Sequence, residues 1–112
     1  MNTEPLAGMP VDNERRQSQR KKFRGKIEIE WGSMILIGTI RDIGPHGLFV
    51  ELTPPLWVGA TFVARVIMNP ILQLDCTVRR VEPGRGIAIE FEIPEESGKA
   101  QLRDVLADLP PV

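Results

Sequence analysis

Among its 112 residues the sequence has one cysteine, one histidine and no tyrosine. A single thiol, Cys76, excludes an intramolecular disulfide and a zinc site built from several thiolates. A single imidazole, His46, has no second histidine or cysteine–carboxylate group at metal spacing, so metal binding is not expected. Aromatic residues make up only 5%, too few to give a strand face the stacking platform that single-stranded nucleic acid needs. No apolar run approaches the roughly 20 residues that carry a helix across a bilayer. Residues 1–10 lack the basic and apolar regions of a secretory signal, so a cytoplasmic location is expected. A net charge of −1 gives no whole-molecule attraction to nucleic acid or anionic lipid. There is no Ser/His/Asp or Cys/His arrangement, no G-x-x-x-x-G-K phosphate loop and no acid–base carboxylate pair. The chain is therefore not expected to be an enzyme.

The charge that is present is concentrated. Arg15, Arg16, Arg20, Lys21, Lys22, Arg24 and Lys26 supply half of the 14 basic residues. Residues 1–13, with prolines and little periodicity, are expected to form a flexible tail. A basic arm follows over 14–25. From Lys26 the apolar positions alternate (Ile27, Ile29, Trp31), as in a half-buried strand. Gly32-Ser33 turns the chain into a second strand over Met34–Arg41, and the two form a hairpin. Asp42–Gly47 reads as a six-residue turn. Further strands are expected over Leu48–Leu52, Thr61–Met68, Leu72–Val81 and Gly86–Glu92, separated by proline and glycine signals. Short strands at such spacing indicate a barrel or sandwich. After Pro94, Leu102, Val105, Leu106 and Leu109 recur at helical spacing, predicting an amphipathic helix over about 96–109 that covers one opening or face.

Two segments have chemistry to offer. Arg16 and Arg20, four positions apart, converge if the arm coils and address separate groups of one ligand if it is extended. Arginine forks onto phosphate or the O6/N7 edge of guanine and stacks on flat rings. In Asp42-Ile43-Gly44-Pro45-His46-Gly47, the glycines permit unusual backbone angles and close approach, and backbone N–H groups of such turns form anion-binding nests. Asp42 is suited either to accept from guanine or to hold an arginine of the arm. Each segment alone is also what a solvated basic run or an ordinary β-turn looks like.

Their order and spacing resemble the PilZ family, whose signature is R-x-x-x-R followed by [D/N]-x-S-x-x-G on a barrel. Leu48-Phe49-Val50-Glu51, Leu56-Trp57-Val58-Gly59 and Gly86-Ile87-Ala88-Ile89-Glu90-Phe91 extend the likeness over about Glu14–Leu109. The resemblance implies a mainly β fold: a six-stranded antiparallel split β-barrel over 26–92 with a C-terminal α-helix, within one domain spanning 14–109. It implies cyclic di-GMP as ligand, with no cofactor, and a receptor or adaptor role toward a protein partner in motility, biofilm or envelope regulation. Arg16 and Arg20 correspond to the ligand-gripping arginines and Arg15 to the flanking base. Asp42, Gly44 and Gly47 correspond to the D, S and G of the turn, with His46 beside the ligand. Gly44 departs from the family's serine and removes one hydroxyl donor, which costs about 0.5–1.5 kcal/mol, or roughly 1.5–3 against a phosphate. The alternative is a degenerate adaptor that binds the nucleotide weakly or not at all. Monomer and homodimer are both compatible with the sequence. Cys76 is expected in the core, Trp31 and Trp57 in core or rim packing, with a guanine shelter as the other use of Trp57.

Overall fold

Ile27 and Ile29 are fully buried while Lys26 and Glu30 face solvent, the period-two pattern that lays one face of a strand on a core. The same alternation recurs in most of the other strands of the computed structural model, which describes residues 20–53 and 56–112. Its elements are β1 (Lys21–Trp31), β2 (Met34–Ile43), β3 (Gly47–Glu51), β4 (Thr61–Val66), β5 (Leu72–Glu82), β6 (Gly86–Glu92) and the helix α1 (Glu96–Asp108). All neighbouring strands are antiparallel and close into a barrel in the order β1-β2-β3-β6-β5-β4. The expected six-stranded antiparallel barrel with a C-terminal helix is thus the observed fold.

The interior is built from one residue in two along each strand. Ile27, Ile40, Leu48, Val66, Leu74, Val78 and Ile87 are each 0% exposed, and complete burial of such a side chain stabilises by roughly 1.5–3 kcal/mol. Cys76 belongs to this core. Desolvation, with a smaller push from the charge of Asp75, raises its thiol to about 12, so it stays protonated and unreactive at neutral pH. Leu102 of α1 joins the core, and Leu106 of α1 and Leu109 just beyond the helix pack against it. Glu96 complements the dipole at the first turn.

Several boundaries differ from those the sequence suggests. β1 starts at Lys21 instead of Lys26, because β2 runs on to Ile43 and pairs Lys21 with Ile43 and Lys22 with Asp42. β4 covers β1 only from Ile27 to Glu30. Residues beyond α1 flank the start of the strand instead: Lys22 N–H donates to Pro110 O at 2.9 Å and Val112 N–H to Arg20 O at 3.2 Å. The extension of β2 shortens the six-residue turn to Gly44–His46, and β3 then begins at Gly47. β4 ends at Val66, short of Met68. The flexible tail expected over 1–13, Arg15, Arg16 and residues 54–55, two of the prolines expected to separate strands, lie outside the described residues.

Three ladders carry register shifts: Lys22/Gly25 between β1 and β2, Ile40/Asp42 between β2 and β3, and Val78/Arg80 between β5 and β6. Near the last two, Gly86 crosses β3 closely. A Cβ at Gly86 would overlap the Val50 carbonyl oxygen and lie 2.8 Å from Phe49 Cε2. A backbone oxygen held in a ladder has nowhere to move. Gly86→Ala is expected to destabilise the fold by at least ~2 kcal/mol, read as a lower denaturation midpoint at unchanged m-value. A change below ~0.5 kcal/mol would show that the strands part freely here.

Candidate functional site

Ile40 and Ile43 are both core residues although three positions separate them, which unbroken alternation forbids. The ladder to β3 explains it. Ile40 pairs with Val50 and Asp42 with Phe49, leaving Arg41 as an extra residue on β2. Such a bulge re-aims the side chains beside it. Asp42 therefore shares the outer face with Phe49, while Ile43, opposite Leu48, returns to the core. Without the bulge the Asp42 carboxylate would point into an apolar barrel.

Asp42 is 6% exposed, and a carboxylate so buried requires charged partners. Arg20 supplies one, donating to Oδ1 from Nε at 3.1 Å and also from Nη2. Arg41 supplies the other, donating from Nε to Oδ2 at 2.9 Å. Two guanidinium groups on one carboxylate leave a net charge of +1 (two positive, one negative). Their own side chains remain 35% and 39% exposed. The guanidinium carbon of Arg41 also lies 3.9 Å from the centroid of the Phe49 ring, a cation–π stack. Phe49 is buried yet stands outside the barrel core, under Arg41.

Gly47 completes the group, for a reason of space and not of backbone angle. A Cβ there would lie 2.9 Å from Ile89 O, too close for a backbone atom held in the ladder, and 3.4 Å from Arg20 Nη1, an ordinary contact, so β6 sets the need for glycine and Arg20 rests beside it. Among the described residues the positive-φ glycines are Gly32, Gly59, Gly84 and Gly86, and neither turn glycine is one of them. The expected nest is also reduced. Gly44 N–H donates to Gly47 O at 2.7 Å, and Pro45 has no N–H to offer. His46 is exposed. With Pro45, Phe91, Ile93 and Lys99 it lines a cleft of about 380 Å³. A different cleft, of about 290 Å³, is bounded by Lys22, Arg24, Arg41, Asp42 and Val112. The fold thus brings Arg20, Asp42 and Gly47 together and sets the His46 side chain on other neighbours. Trp57 stacks edge-on against Trp31 at 5.1 Å between centroids. Trp31 pairs with Met34 at the far end of the hairpin from the Lys22–Asp42 pair, so Trp57 serves rim packing and not the arginine cluster.

Sequence reasoning missed Arg41 and Phe49. The available signal was the pair Ile40 and Ile43 around Arg41-Asp42, which breaks the two-residue period of β2. Further charge surrounds this face. Arg24 pairs with Glu51 at 3.1 Å, and Arg79 pairs with Glu90. The Glu82 carboxyl is held below its usual value by the Arg80 hydrogen bond, and then by the charges of Arg80, Arg85 and Arg41.

A closed antiparallel barrel carries, at the entry to β1, an arginine held on the aspartate of an Asp–Gly turn. The PilZ domain model matches residues 14–108, and the chain belongs to the PilZ domain family, cyclic di-GMP receptors and adaptors that also include degenerate forms. PilZ domains bind and adapt; they are not enzymes as a family. The fold is shared with the PilZ domain of CeSA from a cellulose-synthesizing bacterium. That match has 21% identity and a TM-score of 0.63 and covers 80% of this chain and 96% of the other. It is shared also with the Bacillus subtilis inhibitor of motility MotI/DgrA. Here identity is 17% and the TM-score 0.65, over 84% of this chain and 52% of the other. No curated protein sequence matches the chain significantly.

Because Asp42 accepts from two guanidiniums, Asp42→Ala is expected to cost about 1–3 kcal/mol in folding stability, with Asp42→Asn, which keeps one acceptor, costing less. Denaturant titration checks this, and a loss under ~0.5 kcal/mol would mean that the arginines find solvent equally good.

Proposed function

We propose that this domain binds cyclic di-GMP on the face formed by Arg20, Asp42 and Gly47 and passes the level of that messenger to a protein partner. The observation that carries the reading is the Arg20–Asp42 contact. It joins residues 22 positions apart, one from the R-x-x-x-R arm and one from the D-x-x-x-x-G turn, with the guanidinium beside the turn's last glycine. The charge is suitable. A cluster of net +1 meets a phosphodiester of charge −1, and arginine forks onto phosphate or guanine. Arg15, Arg16, Gly44 and His46 belong to the same proposal through the family pattern. Arg16 supplies the second gripping guanidinium, Arg15 the flanking charge, and Gly44 the close backbone approach. His46 is the weakest member, since its cleft is not the one bounded by Asp42. A cytoplasmic receptor acting on motility, biofilm or envelope machinery is the setting this function implies.

One observation favours a second reading, a degenerate adaptor that engages its partner without nucleotide. Gly44 lacks the serine hydroxyl, and its N–H is already engaged by Gly47 O, so the turn offers fewer donors than the family pattern. Loss of one hydroxyl hydrogen bond to phosphate, roughly 1.5–3 kcal/mol, corresponds to a ten- to hundredfold weakening.

Calorimetric titration with cyclic di-GMP separates the two. The receptor reading expects saturable binding that disappears in Arg16→Ala/Arg20→Ala and strengthens about tenfold or more in Gly44→Ser. Absence of heat and of amide chemical-shift change at millimolar ligand would sink it. In that case, nucleotide-independent retention of a partner supports the adaptor.

A further inference from the structure

We propose that Arg41 is a stacking platform for a base of the bound nucleotide. This deepens the reading above and rests on it. The family signature covers the arm and the turn, whereas Arg41 is the bulged residue of β2 that the signature does not include.

Two contacts and the bulged backbone position its guanidinium. One face lies on the Phe49 ring, 3.9 Å from guanidinium carbon to centroid. The Nε edge is tied to Asp42 Oδ2 at 2.9 Å. The bulge holds the backbone so that the side chain runs along the outer face beside Asp42 and Phe49. Phe49 itself is 1% exposed, so the ring backs the arginine and is not available to a ligand. The opposite face of Arg41 is open: the side chain keeps 39% of its surface exposed and borders the cleft that Asp42 and Lys22 share.

A flat cation with one face backed by an aromatic ring, one edge anchored and one face open is pre-organised to take a second flat ring. Ordering a free arginine for stacking costs rotamer entropy; here Asp42 and Phe49 have already removed it. The neighbouring Arg20 sits on the other oxygen of the same carboxylate, so a nucleotide whose phosphate meets Arg20 has its base within reach of Arg41. The chemistry selects a purine over a pyrimidine, because the larger ring covers more of the guanidinium face. In a turn that lacks the serine hydroxyl, this contact offsets part of the lost affinity.

The test is titration of cyclic di-GMP into the wild-type chain, Arg41→Ala and Arg41→Lys, with thermal melts of all three. Wild-type binding weakened on the order of tenfold or more in Arg41→Ala, and equally in Arg41→Lys, supports stacking, since lysine keeps the charge and loses the plane. Full rescue by lysine overturns the proposal in favour of a charge contact, and an unchanged affinity in Arg41→Ala overturns it outright. Competition by the uracil-bearing ring, cyclic di-UMP, adds a specificity readout. Its affinity relative to cyclic di-GMP is expected to rise in both variants, and an equal loss for the two ligands counts against stacking. Failure of the wild-type chain to bind overturns this proposal together with the receptor reading, whereas binding that ignores position 41 overturns this one alone. Should Arg41→Ala melt at assay temperature, the lysine variant decides.

Discussion

The carboxylate of Asp42 is nearly withdrawn from water and lies between the guanidiniums of Arg20 and Arg41. A buried carboxylate without partners costs several kcal/mol, and this requirement constrains the surrounding backbone. Arg20 must precede β1 directly, so the strand has to begin at Lys21 and pair Lys22 with Asp42. Arg41 must share a face with its neighbour Asp42, which a regular strand does not allow and the bulge against β3 does. Gly47 must lack a side chain, because a Cβ there would lie 2.9 Å from the Ile89 carbonyl oxygen of β6, with the Arg20 guanidinium on the same spot at contact distance. One ionic contact thereby links the entry of β1, the end of β2 and the start of β3.

Stability and the charged face are largely separate in this architecture. The barrel closes on a continuous apolar interior from all six strands and Leu102 of α1, and its burial supplies most of the folding free energy. The arginine–carboxylate group stands outside that interior, with its cations partly hydrated. Exposed ion pairs such as Arg24–Glu51 are worth little each. The turn can therefore vary, as it does with Gly44 in place of serine, without endangering the fold. That independence accounts in physical terms for a family in which the barrel persists while nucleotide binding is gained, weakened or lost.

Much of this was legible in the sequence. Period-two burial gave the strands, helical spacing gave α1, and the Gly32-Ser33 turn gave the β1–β2 hairpin. The start of β1 was not legible, because Lys21, Lys22 and Arg24 carry the composition of a solvated arm. They become strand only through partners distant in sequence, Ile43 and Asp42 on one side and residues 110–112 on the other. The role of Asp42 was narrowed to alternatives, of which the structure displays the arginine-holding one. Arg41 and Phe49 were missed because the Ile40/Ile43 break in the two-residue period signals an irregularity in β2 and not its partner: which residue is the extra one, and that Phe49 lies opposite Asp42, is set by the pairing with β3. Gly47 was identified as a glycine position for its backbone freedom, whereas the constraint is steric and comes from the Ile89 carbonyl of β6.

The same strand end also ties the charged face to the helix. Residues 20–22 are held on one flank by β2, through Lys21–Ile43 and Lys22–Asp42, and on the other by the segment that follows α1, through Lys22 N–H to Pro110 O and Val112 N–H to Arg20 O. Arg20 thus takes part in both at once, its side chain on Asp42 and its carbonyl on Val112. A displacement of the Arg20 Cα bears on both hydrogen bonds, since side chain and carbonyl hang from that one atom. The segment that would follow such a shift leads in three residues to Leu109, which packs on the core beside Leu106 and Leu102. The exposed side of α1, including Arg103, Asp104 and Asp108, is therefore joined to the arginine–carboxylate group by a short, hydrogen-bonded path that does not cross the barrel interior.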